Sequence, residues 1–202
     1  MNILITGFAP FGGDGENPSQ LALEALPGAI AGARLAKRLL PVSFLAAQRA
    51  VCAAIASERP DAVLLTGLAG GRAKISLERA ALNVKDARMP DNDGDCPVDQ
   101  PIRADGPAAY FATLPLRRIE ARLRQADIPV EISNSAGTYV CNLALYCALD
   151  EIARQGACTR AGFIHVPYLP QQAAAHGAPG MPLEETVRAL TTALEILARG
   201  DA

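Results

Sequence analysis

Two short segments hold the residues best suited to covalent chemistry. Residues 135–142 (Ser-Ala-Gly-Thr-Tyr-Val-Cys-Asn) place Cys141 where a loop becomes a helix, and residues 162–168 (Gly-Phe-Ile-His-Val-Pro-Tyr) place His165 at the end of an apolar strand. A thiol attacks as its thiolate, which forms near neutral pH when a base or a positive local field is at hand. The free N–H groups and dipole of a helix start supply such a field, and an imidazole supplies the base. The chain has two histidines, His165 and His176. His176 follows three alanines and precedes Gly177, the pattern of a solvated loop, so His165 is the better base. Glu78 interrupts the apolar residues of 75–82. An acid there lies on a solvated strand face, pairs with its neighbour Arg79, or orients the histidine of a Cys-His-acid set.

Each of these residues also has a plainer role. A free cysteine is usually a small buried hydrophobe, the role assigned to Cys52 and Cys147 in helix bodies. A histidine at a strand end can be satisfied by a backbone carbonyl. Cys96 falls in a long polar loop and is expected at the surface. Phe8 and Phe11 flank a glycine-rich turn, 7–13, that matches neither G-x-G-x-x-G nor the Walker pattern. Aromatics make up 4% of the chain, so two in one such turn either contact a flat apolar ligand or cover the sheet edge. The turn at 67–72 can lend backbone groups to the same cleft.

The elements that must position these residues alternate along the chain. Apolar runs at 3–6, 35–42, 62–66, 130–133 and 162–166 predict strands, and 75–84 predicts another that carries Glu78. Asn17 and Pro18 start a helix that ends near Leu26. Further helices are predicted over 44–57, 116–126, 140–154 and 183–198, the last with Leu183, Val187, Leu190, Leu194 and Leu197 on one face. Residues 86–107 are dense in Asp, Gly and Pro and predict a long loop, of a kind that is usually either functional or disordered. Alternating strands and helices predict an α/β fold: a single domain over 1–202, built as a three-layer α/β/α sandwich on a mostly parallel twisted sheet. Sites in such sheets lie beyond the carboxyl ends of the strands, here 7–13, 67–72, 133–141 and 165–168.

Composition narrows the function. Half of the 202 residues are hydrophobic and the net charge is −2, with no Lys/Arg cluster, so nucleic acid and anionic membrane are not expected partners. Five cysteines without C-x-x-C spacing disfavour a disulfide framework and a zinc site and suit a reducing compartment. The first residues lack a basic n-region, and no apolar run is long enough to span a bilayer. The expectation is a cytoplasmic protein with no metal.

Several ordered segments carry a resemblance: 4–13, 17–19, 67–72, 78–83, 87–92, 106–110, 136–142 and 162–168. Together they resemble the pyroglutamyl peptidase I (pyrrolidone carboxyl peptidase) family of cysteine peptidases. The resemblance implies a cytosolic exopeptidase, without cofactor or metal, that acts on peptides with N-terminal pyroglutamate (5-oxoproline). It implies Cys141 as nucleophile, His165 as base and acid, and Glu78 as the acid that orients the imidazole. It implies Phe8 and Phe11 on the lactam ring, Asn17 lining the pocket and Arg88 supporting the site, in a homotetramer or, with weaker contacts, a dimer. Leu68 stands where some members carry glutamine, so only its backbone can serve there; Ser135 and Met89 stand where threonine and isoleucine are common. Two rival readings remain: a purine-nucleoside-phosphorylase-like transferase, and a ligand-binding domain in which Cys141 is inert.

Overall fold

The structure, a computed structural model, describes residues 1–200, so the last two residues of the expected 1–202 domain lie outside the described residues. The chain runs β1 (Asn2–Phe8), α1 (Pro18–Ala25), β2 (Ala29–Ile30), β3 (Ala33–Leu40), α2 (Phe44–Glu58), β4 (Ala62–Leu68), β5 (Ile75–Glu78), β6 (Ala80–Leu82) and β7 (Ala109–Phe111). It continues with α3 (Leu116–Gln125), β8 (Val130–Ser133), α4 (Val140–Arg154), β9 (Arg160–Val166), α5 (Pro170–His176) and α6 (Leu183–Ala198).

The near-continuous apolar runs of β1, β4 and β9 are buried on both faces, as the middle of a helix-covered parallel sheet requires. They form the centre of a seven-stranded sheet of order β2-β3-β1-β4-β9-β5-β8. Side chains alternate across it. Ile3, Ile5, Leu64, Ile164 and Val166 face a core closed by α1, α3 and α6, whereas Leu4, Phe8, Val63, Leu65 and Phe163 face one closed by α2 and α4. The architecture is the expected three-layer sandwich.

Three features differ from the sequence-based expectation. The predicted strand over 75–84 breaks at Arg79: Glu78 ends β5 in the main sheet, and Ala80 begins β6, which pairs with β7 in a separate two-stranded sheet. β5 and β8 run parallel to each other but β5 runs antiparallel to β9, so the carboxyl end of β8 is not on the same edge as those of β4 and β9. Residues 134–139 must therefore carry the chain back towards the edge where Cys141 sits. His176 closes the unpredicted helix α5 rather than a loop; its ring stacks on Tyr168 (4.7 Å, 13°) and meets Asp14 Oδ1 at 3.1 Å.

The long loop is ordered by polar contacts, as its composition dictates. Buried Asp91 accepts hydrogen bonds from the backbone N–H groups of Phe44 (2.8 Å), Asp93 and Asp95 (both 2.9 Å). One carboxylate thus pins the loop to the start of α2.

Candidate active site

The sheet brings His165 and Glu78 together from adjacent strands. Both point to the α2/α4 face, because His165 alternates with Ile164 and Val166, and Glu78 with Leu77. His165 Nδ1 lies 2.7 Å from Glu78 Oε1. Glu78 is fully buried and His165 is 5% exposed, so little water screens the pair. Burial alone would raise the Glu78 pKa, but the hydrogen bond and charge of His165, with Arg72 beside it, hold it below the ordinary carboxylate value. Glu78 is therefore an anion, and with Nδ1 engaged the imidazole has Nε2 left for a substrate or a thiol.

α4 brings Cys141. Tyr139 is the N-cap, so Cys141 is the second helical residue, as the sequence predicts. The first bond of the helix runs from Leu143 N–H to Tyr139 O, and the N–H groups of residues 140–142 precede it at the positive end of the helix. Gly67 makes room for the sulfur: a Cβ on it would lie 2.9 Å from Cys141 Sγ and 2.9 Å from Phe163 Cζ. Gly67 pairs with His165 across β4 and β9, so the thiol and the imidazole share one edge of the sheet. Opposing the helix field, burial and then Glu78 push the Cys141 thiol up to about 12, with Arg72 pulling it back. The site is thus set against a free-standing thiolate, and ionisation needs a proton acceptor beside it.

Asn142 fixes this geometry and escaped the sequence reading. Its fully buried amide accepts from Leu82 N–H (2.8 Å) and donates to the carbonyls of Leu82 (2.9 Å) and Val84 (3.1 Å). The signal was present: a polar side chain in the first turn of a helix that carries no charge before Asp150. The preceding loop is held by Ala136 N–H to Ala80 O (3.2 Å) and by Thr138, whose hydroxyl donates to Asp86 O (2.7 Å).

Cys141 and His165 open into a cleft of about 390 Å³, walled by Phe8, Phe11, Val42, Leu68, Met89 and Tyr139 and edged by Arg72, Asp86 and Arg88. Tyr139 braces the aromatic wall, edge-on to Phe44 (5.3 Å) and tilted against Phe11 (6.3 Å), and its hydroxyl donates to Pro90 O (3.1 Å). Such a pocket suits a small, flat, uncharged group.

Comparison with known proteins agrees with this geometry. The profile of the family described as pyroglutamyl peptidase matches residues 1–200. The chain belongs to the pyroglutamyl peptidase family. It is 52% identical to the pyrrolidone-carboxylate peptidase of Thermococcus onnurineus, over 94% of each chain. Pyroglutamyl peptidase I of Bacillus amyloliquefaciens superposes with a TM-score of 0.95 at 40% identity, covering 98% of this chain and 97% of that one. A mutant pyrrolidone carboxyl peptidase of Pyrococcus furiosus superposes with a TM-score of 0.96 at 39% identity over the full length of both. The chain is accordingly a hydrolase of the peptidase class.

Against the family expectation, the structure gathers Cys141, His165, Phe8, Phe11, Leu68 and Arg88 at one cleft, with Glu78 buried behind His165. Asn17 is the exception, for it does not line the cleft. Its side chain accepts from Ser19 N–H and Ser19 Oγ (3.0 and 2.8 Å) and donates to Ala9 O (3.0 Å), so it caps α1 and anchors the Phe8–Phe11 turn from behind. Arg79 is not the partner of Glu78; Arg72 is, at 2.7 Å. Among the described residues no group of three or more His, Cys, Asp or Glu is placed to hold a metal ion, and no helix is long and apolar enough to cross a membrane.

Proposed function

We propose that Cys141, His165 and Glu78 are the catalytic set with which this peptidase hydrolyses the bond after an N-terminal pyroglutamyl residue. The observation that carries the assignment is the buried 2.7 Å His165–Glu78 pair opening, with Cys141, onto an aromatic cleft. The lactam ring lies between Phe8 and Phe11, and the exocyclic carbonyl carbon of the scissile amide, outside the ring, faces Cys141. His165 Nε2 takes the thiol proton as sulfur attacks that carbon. Glu78 stabilises the imidazolium through Nδ1–H, and backbone N–H groups at the start of α4 receive the developing oxyanion. His165 then protonates the leaving amine, and a thioester remains. A water, deprotonated by His165, attacks the thioester, the thiol regains its proton, and free pyroglutamate leaves.

Pyroglutamate has no charged amine, so apolar walls accept it, whereas a glutamyl or prolyl N-terminus must first shed water from a charge. No cofactor takes part in these steps. The five free cysteines support a reducing, cytoplasmic setting, and the exposed apolar side chains of Val98 (66%) and Phe111 (69%) support self-association as a homotetramer. A fluorogenic pyroglutamyl amide tests the activity. Rapid release from it, with at least about a hundredfold less from the prolyl amide, is expected; comparable cleavage of the two overturns the pocket assignment.

A further inference from the structure

Glu78 accepts two donors on one oxygen. His165 Nδ1 and Arg72 Nη1 each lie 2.7 Å from Oε1, while Oε2 is buried without a hydrogen-bond partner. Orienting an imidazole needs only the first of these contacts. The second is delivered by a dedicated piece of backbone. Ala69 N–H continues the β4–β9 ladder to Val166 O (2.9 Å), and the chain then folds back so that Arg72 N–H reaches Ala69 O (3.3 Å). Gly71 takes the turn position with φ +84°, which a residue with a side chain adopts only under strain. The guanidinium is thereby carried from the end of β4 to the end of β5, where it edges the cleft with a side chain 32% exposed.

The charges explain what this contact does. Without Arg72 the unit of thiol, imidazole and carboxylate would carry a net negative charge before and after the proton moves from Cys141 to His165. With Arg72 the unit is neutral in both states. The ionisable groups near the thiol are His165 on β9, Glu78 on β5, Arg72 on the turn, and Asp86, Arg88 and Tyr139 on the cleft walls. Of these, Glu78 raises the Cys141 thiol and Arg72 lowers it.

We propose that Arg72 is a positioning residue for the reaction: it fixes the Glu78 carboxylate for His165 and balances its charge, so that Cys141 can pass its proton to His165. This rests on the assignment of Cys141, His165 and Glu78 above, and its test does not depend on turnover alone. Arg72→Met, Arg72→Gln, Arg72→Lys and, as a control beside the start of α3 and away from the cleft, Arg79→Met would be compared with the parent protein. The first readout is the pH dependence of Cys141 alkylation by iodoacetamide, followed on the Cys141 peptide by mass spectrometry. The second is kcat and KM on a pyroglutamyl amide.

Loss of the charge should move the alkylation midpoint up by about one pH unit or more. It should lower kcat at neutral pH about tenfold or more, with KM changed less than about threefold, because the contact acts on the proton transfer and not on the lactam. Arg72→Lys should recover most of the midpoint, and Arg79→Met should match the parent. The double variant Arg72→Met with Glu78→Gln should be no slower than Glu78→Gln alone. An unmoved midpoint, or a loss confined to KM, overturns the proposal. Should the Met variant not fold, Arg72→Gln, which keeps a donor without the charge, decides. A parent protein that leaves pyroglutamyl amides uncut would refute the catalytic assignment, while the alkylation midpoints would still report on Arg72.

Discussion

Glu78 is a fully buried carboxylate, and such a group is stable only while its charge is answered. Its partners His165 and Arg72 do that, and they also set how the site responds to acid. A carboxyl held below its ordinary pKa contributes stability that is complete above the unfolded value and is lost as pH falls through the folded one. Thermal melts of the parent and of Glu78→Gln should therefore differ fully at pH 6 to 7, begin to converge as pH falls through about 4, the ordinary carboxyl range, and coincide only below it. A difference that is constant with pH would mean that the charge of Glu78 does not stabilise the fold. Activity should grade with role. Cys141→Ser and His165→Ala should each lower kcat/KM by roughly four orders of magnitude or more, since members of one catalytic unit do not act additively. Glu78→Gln should cost less, about a hundredfold, because the amide can still hold the ring. Steady-state kinetics on a pyroglutamyl amide measures all three; an active Cys141→Ser enzyme would remove the nucleophile from the mechanism.

At the scale of elements, the site depends on how closely α4 approaches the sheet. Gly67 permits that approach, so Gly67→Ala should push Cys141 and Phe163 aside. The expected result is a loss of kcat of at least about tenfold, from misplacement of the reacting sulfur, in a protein whose circular dichroism is unchanged. Much of this arrangement was legible in the sequence. The uninterrupted apolar runs marked β1, β4 and β9, and the apolar helix after 135–139 marked the position of Cys141. What escaped was set by tertiary contact. β2 has only two residues and β7 three, too short for a period to show. β5 and β6 form a continuous pattern in sequence, and only pairing with different partners divides them at Arg79. α5 is a seven-residue helix of Pro, Gln, Ala and His with little apolar periodicity. Arg72 was visible as a residue but not as a partner of Glu78, because nothing local shows that the turn after β4 folds back onto β5.

Over the whole molecule, apolar surface remains beyond what the cleft uses. Leu39, Leu45, Val98 and Phe111 are exposed by 46, 52, 66 and 69%. Val98 belongs to the long loop that Asp91 ties to α2, and Leu45 follows Phe44, the residue that Asp91 holds, so loop and helix start form one connected surface. A single exposed leucine is ordinary, but a fixed loop that holds a valine outward leaves it in water with no gain to the monomer. The loop has too little apolar content for a core of its own, so a second copy of the chain is the economical cover, and closed symmetric assemblies are the common form. Because Met89 and Arg88 on the same loop edge the cleft, association there would also narrow access and admit a free N-terminus in preference to a folded protein. Light scattering coupled to size exclusion at micromolar concentration should give a tetramer for the parent chain. Val98→Asp should shift it to smaller species and loosen the preference for small substrates over folded proteins, with kcat on a pyroglutamyl amide nearly unchanged, because the proposed catalytic residues all belong to one chain. A parent protein that is a clean monomer with full activity would show that neither the assembly nor the gating is needed.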